Sequence, residues 1–320
     1  MMLAALRTRE AGVAALILAT VVIVSLVNPA FLGLQNARDI LIAAAPGMIV
    51  ACGLTLVVVM GEIDISMGAL MGLCAAVLGR LVSADHAALP VWAAMLIVLA
   101  LGAGVGLVNG LLVTIGRVPS IIATLGMLTA LTGVGDLVMA GGTIGNFPDA
   151  LRGWAIGSIG PLPVPVLVAG LCIAAFTVLT RSTPLGRRIY AVGSNPHAAR
   201  LAGLPVRRLK LLAFVATGAL TALATLISAP QLDVIEAGFG RQFELLAVTA
   251  VVVGGTSIGG GVGSIVGSGL GVLLLSLVRT VLIFLQLGLS ATYWERAIQG
   301  AFILGAVLVD HLGRRRGGQR

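Results

Sequence analysis

The sequence predicts an all-α fold: a polytopic membrane bundle of about ten transmembrane helices with broken or re-entrant segments. Three observations predict it. Hydrophobic residues fill 58% of the 320 positions and charged residues only 10%, with a mean hydropathy of +1.11; a soluble domain carries roughly a quarter charged residues. Apolar runs of about 18 residues or more, the length a helix needs to cross a bilayer, recur along the chain. Glycine takes 44 positions, about twice its usual share, and small residues let helices approach closely where lipid supplies no hydrophobic force between them.

The first span is placed at 11–30, behind Arg7 and Arg9. A cleavable leader would end in a small-x-small site, and none precedes Asn28-Pro29, so this run reads as an uncleaved span. The others are placed at 40–60, 66–84, 91–115, 120–140, 163–180, 211–229, 245–257, 264–279 and 293–310. The eighth is short for a full crossing. Ten spans put both ends on one side, and the bias of Lys and Arg toward the cytoplasm says which. With both ends inside, only Arg38, Arg80, Arg152, Arg241 and Arg279 lie outside. Arg296 falls within the last span, and the other fourteen basic residues lie inside. Residues 1–320 are therefore expected to form one transmembrane domain in the plasma membrane, with a cytoplasmic loop at 185–205 and a basic cytoplasmic tail at 311–320. The net charge of +8 suits topology and membrane lipid, not nucleic acid.

Two glycine stripes, Gly102, Gly106 and Gly110, and Gly259, Gly263, Gly267 and Gly271, recur every fourth residue and predict flat packing grooves on helices. Cys52, Cys74 and Cys172 lie in apolar runs without paired spacing, so neither a disulfide framework nor a metal site is expected. The one lysine, Lys210, is not part of a Gly-x-x-x-x-Gly-Lys phosphate loop. No catalytic constellation or cofactor motif is visible. If ATP drives this protein, a separate subunit binds it.

Polar residues interrupt the apolar runs at a few places. In "VVVMGEIDISMG", 57–68, Glu62 and Asp64 close one run just before another. Asp64 or Ser66 suits the cap of the following helix. Glu62, Asp64 and Ser66 are also candidates for a polar path, because ionisable groups at membrane depth are costly and usually serve transport. "VVVGGTSIGGGVGS", 251–264, echoes this break with a one-residue shift and adds Thr256 and Ser257. Breaks at that depth are tolerated only where protein or water surrounds them. Asn109, Thr124 and Asp136 are polar positions in otherwise apolar spans, suited to an interhelical hydrogen bond or to the path. The loops 141–162 and 230–244 are expected outside, as landing surfaces for an extracytoplasmic partner.

One polar piece stands apart. "GSNPHAARLAGL", 193–204, lies within a stretch of seven basic residues and no acid, Arg181 to Lys210. Ser194 or Asn195 before Pro196 is a helix start, and Gly203 a stop. A helix this short needs something to pack on. The face of Ala198, Ala199, Leu201 and Ala202 is small and smooth, which favours a protein partner over headgroups.

These segments resemble the permease subunits of bacterial ATP-binding-cassette importers for ribose, xylose, rhamnose and the quorum signal autoinducer-2. "GEIDISMG" stands where that family has Gly-Gly-Ile-Asp-Leu-Ser-Val-Gly, so Glu62 replaces a glycine. "NGLLVTIGRVPSIIATLG", "GRRIYAVGSNPHAARLAGL", "VVVGGTSIGGGVGSIVG" and "GAFILGAVLVD" follow in family order, with Pro119-Ser120 and Thr132-Gly133 as local departures. "RTVLIFLQLGLSATYW", 279–294, is more similar to the autoinducer-2 and rhamnose branch. The resemblance implies a dimer of permeases, with a second copy or a related chain. It also implies a cytoplasmic ATPase that receives the 194–203 helix, and an extracytoplasmic sugar-binding protein. Gly193, Ser194, Asn195, Ala198, Ala199, Arg200 and Gly203 then serve ATPase coupling, and the chain itself is not an enzyme. The competing reading is a secondary transporter driven by an ion gradient through Glu62, Asp64 and Asp136.

Overall fold

The computed structural model describes residues 2–284 and 291–317. Along them run α1 (Met2–Val27), α2 (Leu34–Val59), α3 (Met67–Val82), α4 (Val91–Thr114), α5 (Ser120–Met139), α6 (Asp149–Ile156) and α7 (Val164–Ser182). They are followed by α8 (Pro184–Ser194), α9 (Pro196–Leu201), α10 (Val206–Ser228), α11 (Phe243–Val253), α12 (Ile265–Phe284) and α13 (Ala291–Gly317). A two-strand hairpin, β1 (Ser158–Ile159) with β2 (Leu162–Pro163), is the sheet among the described residues. The sequence positions 285–290 and Arg320 lie outside the described residues.

Every expected span coincides with a helix. Among the described residues seven helices are long and apolar enough to cross a membrane: α1 from Glu10, α2, α4, α5, α7, α10 and α12. This is a multi-pass membrane bundle. α3 and α11 are apolar but shorter. With 11 residues, α11 is about 16 Å long, half the hydrocarbon thickness, which is what the short eighth span implied.

The bundle is built around α2, buried almost continuously from Ala44 to Met60, with α7, α10, α11 and α12 packed on it. A hydrophobic helix buried on all sides occurs only in a membrane or a large core. Outer helices instead leave apolar side chains exposed, such as Leu18, Leu26, Trp92 and Leu137. A lipid-facing surface of this kind needs no covering by protein.

Glycine sets the crossing of α4 with α10. A Cβ at Gly106 would lie 2.3 Å from the Phe214 carbonyl oxygen, and one at Gly218 2.2 Å from that of Gly102. The first glycine stripe is thus a packing groove. The second is only half helical, because α12 begins at Ile265 and leaves Gly259 and Gly263 in the preceding loop. Gly267 and Gly271 do pack: their added Cβ atoms would lie 2.2 Å from the Gly254 oxygen and 2.0 Å from that of Ala250.

Two extramembrane features went unforeseen. α6 and the hairpin occupy the loop 141–162, which is tied to the loop 230–244 by two hydrogen bonds. The Ile144 amide donates to the Ile235 oxygen at 3.0 Å, and the reverse bond is 2.8 Å. An Arg152–Asp233 ion pair reinforces them. The two candidate landing surfaces therefore form one platform. The other feature is α8, which precedes α9 and nearly triples the helical content of the basic loop.

Candidate functional site

The site begins where two apolar helices stop. α2 ends in a Schellman motif: the Gly61 amide donates to the Val58 oxygen at 2.9 Å and the Glu62 amide to the Val57 oxygen at 3.1 Å. Gly61 has φ +76°, a left-handed conformation that glycine adopts without steric penalty. α11 ends in the same motif. The Gly255 amide donates to Val252 at 2.9 Å and the Thr256 amide to Val251 at 3.1 Å, with Gly255 at φ +96°. The caps align without the shift expected from sequence, Val57-Val58-Val59 upon Val251-Val252-Val253. The displacement arises afterwards, because the second loop is longer before its helix resumes.

After the first cap the chain runs extended against the start of α5. The Ile63 amide donates to the Ser120 hydroxyl at 3.1 Å, and the Thr124 hydroxyl lies 3.4 Å from the Ile63 oxygen. Asp64, only 2% exposed, accepts from the Ser66 amide at 2.9 Å and the Ser66 hydroxyl at 2.7 Å. Asn109 of α4 donates to that hydroxyl at 2.9 Å. Neither Asp64 nor Ser66 caps a first-turn amide of α3. Asp64 instead fixes the turn that precedes the helix. The structure thus unites Glu62, Asp64, Ser66, Asn109 and Thr124 where α3, α4 and α5 meet.

Glu62 forms an ion pair with Lys210 of α10, and the two side chains are 15% and 17% exposed. At that burial, losing one partner leaves a charge that water reaches poorly. Glu62→Gln and Lys210→Met are each expected to cost about 1–3 kcal/mol, and the double variant less than their sum. A double-mutant cycle on denaturation of the purified chain measures this; strict additivity would mean the pair contributes nothing.

In the second break, Thr256 and Ser257 are buried. The Thr256 and Ser268 hydroxyls are 3.3 Å apart, and the Thr55 hydroxyl donates to Ser268 at 2.7 Å, joining α2, α12 and the loop by a buried chain of hydroxyls. The Ser257 amide donates to the Val262 oxygen at 2.9 Å, closing the glycine-rich turn.

The two breaks and the basic loop meet at backbone level. The Gly261 amide donates to the Val59 oxygen at 2.7 Å. A Cβ on Gly193, at the end of α8, would lie 1.8 Å from that oxygen and 2.7 Å from the Gly261 nitrogen. Only glycine fits there. Tyr190 locks the same junction, donating from its hydroxyl to the Gly263 oxygen at 2.8 Å. Burial pushes its pKa up to about 12, so the proton needed for this bond is retained.

α8 starts at Thr183, whose hydroxyl accepts from the Gly186 amide at 3.2 Å, with Pro184 in the first turn. Its buried residues Gly186, Ile189, Val192 and Gly193 have helical spacing, and that spacing with the Thr-Pro start was the signal available in sequence. Asn195 caps α9, its Oδ1 accepting from the His197 and Ala198 amides at 3.0 Å each. α9 closes on a third Schellman motif, with Gly203 at φ +78° and the Leu204 amide donating to Ala199 at 3.0 Å. The candidate coupling residues therefore divide. Gly193 and Ala199 are buried against the bundle, while Ser194, Ala198, Arg200, Leu201, Ala202 and Gly203 are exposed. Ala199 does not share the outward face on which sequence reasoning set it.

Asp136 lies elsewhere, 16 residues along α5 from Ser120 and so about 24 Å away. It lines a cleft of about 320 Å³ that runs from Met139 to Gly68, two residues beyond Ser66. Arg241, 3.9 Å from Asp136, and Gln242, Glu236 and Glu244 complete its polar wall. Gly68 makes room for Glu244, whose Oε2 would be 1.9 Å from a Cβ there. Glu244 was missed as a site residue because in sequence it is one of several acids in a loop.

A family model described as branched-chain amino acid transport system / permease component matches residues 36–307. The chain belongs to this permease family. It is 38% identical over 299 residues to the ribose import permease protein RbsC of Escherichia coli K12, covering 92% of this chain and 91% of that one. It is 35% identical over 306 residues to the autoinducer 2 import system permease protein LsrC of Enterobacter sp. (strain 638), covering 95% and 87%. The probable ABC transporter permease protein YphD of Escherichia coli K12 is 34% identical over 303 residues, covering 95% and 90%. No solved structure matches the chain. Family membership makes it a transporter permease component, a class that is not usually enzymatic.

Proposed function

We propose that this chain is the translocation subunit of a binding-protein-dependent, ATP-driven importer for a monosaccharide or sugar-like signal of the ribose, rhamnose or autoinducer-2 kind. It works as a dimer with a second copy or a related permease, and both termini are cytoplasmic. α9 docks in a separate ATPase that binds the ATP, and the 141–162 and 230–244 platform receives an extracytoplasmic sugar-binding protein. The names of the relatives support the substrate class. The cleft suits it too, since about 300 Å³ is the lower range of small-ligand sites, and carboxylate, amide and guanidinium groups are the partners sugar hydroxyls require.

One observation carries the coupling: the backbone junction of Val59, Gly193 and Gly261. Movement of α8–α9 acts on both helix breaks without intervening flexible side chains. α3, which follows the first break, lines the cleft through Gly68, Ala69 and Gly72, so the same movement shifts that wall. Glu62, Asp64, Ser66, Asn109, Thr124, Thr256 and Ser257 are assigned to the moving region, and Asp136 to the cleft.

An ion-gradient mechanism is not favoured, because its three carboxylates do not converge. Glu62 is held by Lys210, Asp64 by Ser66, and Asp136 stands far along α5.

The decisive substitution is on the exposed side of α9. Ala198→Trp and Leu201→Asp are expected to leave membrane abundance normal, abolish uptake and reduce co-purification of the ATPase about tenfold or more, as interface hot spots do. Normal uptake in both variants, or substrate movement by the purified chain in vesicles without an ATPase, would sink the reading.

A further inference from the structure

Beside α9, a cavity of about 890 Å³ is walled by Arg117, Arg200, Arg207, Arg208 and Lys210, with Glu62 as its one acid. Glu62 is already paired with Lys210. The four guanidinium groups have no hydrogen-bond or ion-pair partner among the described residues. They come from three separate segments: the α4–α5 connector, α9 and the start of α10. Topology alone requires basic residues on this side of a membrane, but not that they face one cavity.

Two physical considerations point the same way. Like charges gathered around one space repel, and an anion inside converts that repulsion into attraction. Arg117 also adopts φ +56°, a left-handed conformation that glycine would take at lower cost. The residue that bears this strain lines the cavity. The first turn of α10 borders the cavity and receives no side-chain cap, so the local backbone field is also positive.

We infer that this cavity binds a phosphate-bearing anion, clamped between Arg117 on one wall and Arg207 and Arg208 on the other. Guanidinium forks match phosphate oxygens two at a time. Because Arg200 belongs to α9, an anion held there also braces α9 against the α4–α5 connector. The phosphate comes either from an anionic lipid of the adjacent leaflet or from a soluble phosphate ester, and both offer the same dianionic or monoanionic oxygens.

The test uses the purified full-length chain in nanodiscs of phosphatidylcholine, titrated with labelled inorganic pyrophosphate by equilibrium dialysis. A parallel sample in nanodiscs containing phosphatidylglycerol is analysed for retained lipid by native mass spectrometry. Saturable binding of either probe is expected, weakened about tenfold or more by Arg117→Gln combined with Arg207→Gln and Arg208→Gln. Arg187→Gln with Arg188→Gln, an exposed pair on α8 outside the cavity, should bind within about twofold of the parent. Pyrophosphate binding identifies a soluble source, and retained phosphatidylglycerol without it a lipid source. If the triple variant does not fold, Arg117→Gln alone should lose several-fold affinity and Arg117→Lys less. Absence of saturable binding by both probes overturns the inference, as does equal loss in the α8 control. Exclusive cross-linking of a Val118→Cys variant to the ATPase, with no anion bound, would assign the cavity to a protein partner instead and overturn it too.

Discussion

A methyl group at position 193, in Gly193→Ala, is expected to stop uptake and to loosen the bundle at once. The added Cβ would meet the Val59 carbonyl oxygen at 1.8 Å and the Gly261 nitrogen at 2.7 Å. Neither atom can turn aside as a side chain could. That oxygen already accepts from the Gly261 amide at 2.7 Å, so moving it breaks the link between the two helix breaks. Overpacking of this severity belongs at or above the top of the usual range, about 3 kcal/mol. Gly203→Ala is the contrast. Nothing lies within 4 Å of Gly203 and only its φ of +78° matters, so the loss should be about 1–2 kcal/mol with uptake retained. Melting of the purified variants, with uptake at matched membrane levels, measures both; wild-type transport by Gly193→Ala would remove the proposed coupling path.

Gly106→Ala and Gly218→Ala should each drive α4 and α10 apart. Their Cβ atoms would stand 2.3 Å from the Phe214 oxygen and 2.2 Å from the Gly102 oxygen. In lipid the α4–α10 association depends on this backbone proximity, since apolar side chains gain nothing by leaving acyl chains. A loss of about 3 kcal/mol or more is expected, enough to separate the helices in detergent and eliminate the monodisperse peak on size exclusion after mild heating. Gly104→Ala, on the same helix with nothing within 4 Å, should behave as the parent. If all three variants elute alike, the crossing is not set by glycine.

How far the sequence reached depended on the range of the interaction involved. The helical spans were legible because apolar runs report a local property, though among the described residues only seven of the ten helices are long and apolar enough to cross a membrane. Asn195-Pro196 and Gly203 were legible as the ends of α9 for the same reason: capping is read within a few residues. The role of Ala199 was not, because its direction depends on how α9 lies on the bundle, and six residues give no reliable periodicity. Nor was Gly193, in sequence one glycine of 44; its meaning comes from Val59 and Gly261, which are remote along the chain. The common cap of the two breaks was visible only as a shifted echo, since unequal loops after the caps blur the alignment. α8 was within reach through Gly186, Ile189 and Val192, but the surrounding arginines drew attention to charge instead of spacing.

The Lys210–Glu62 pair has a practical corollary. The chain contains a single ε-amine, and it lies mostly buried beside the first helix break. Amine-reactive labels applied to this protein therefore read one position, apart from the chain terminus, without any engineered handle. An amine held by a carboxylate at that burial is poorly reached by a reagent in water, and the same amine released from it is reached freely. The rate at which Lys210 is acylated thus becomes a native clock for the opening of the break, slow while Glu62 is engaged and faster in Glu62→Gln.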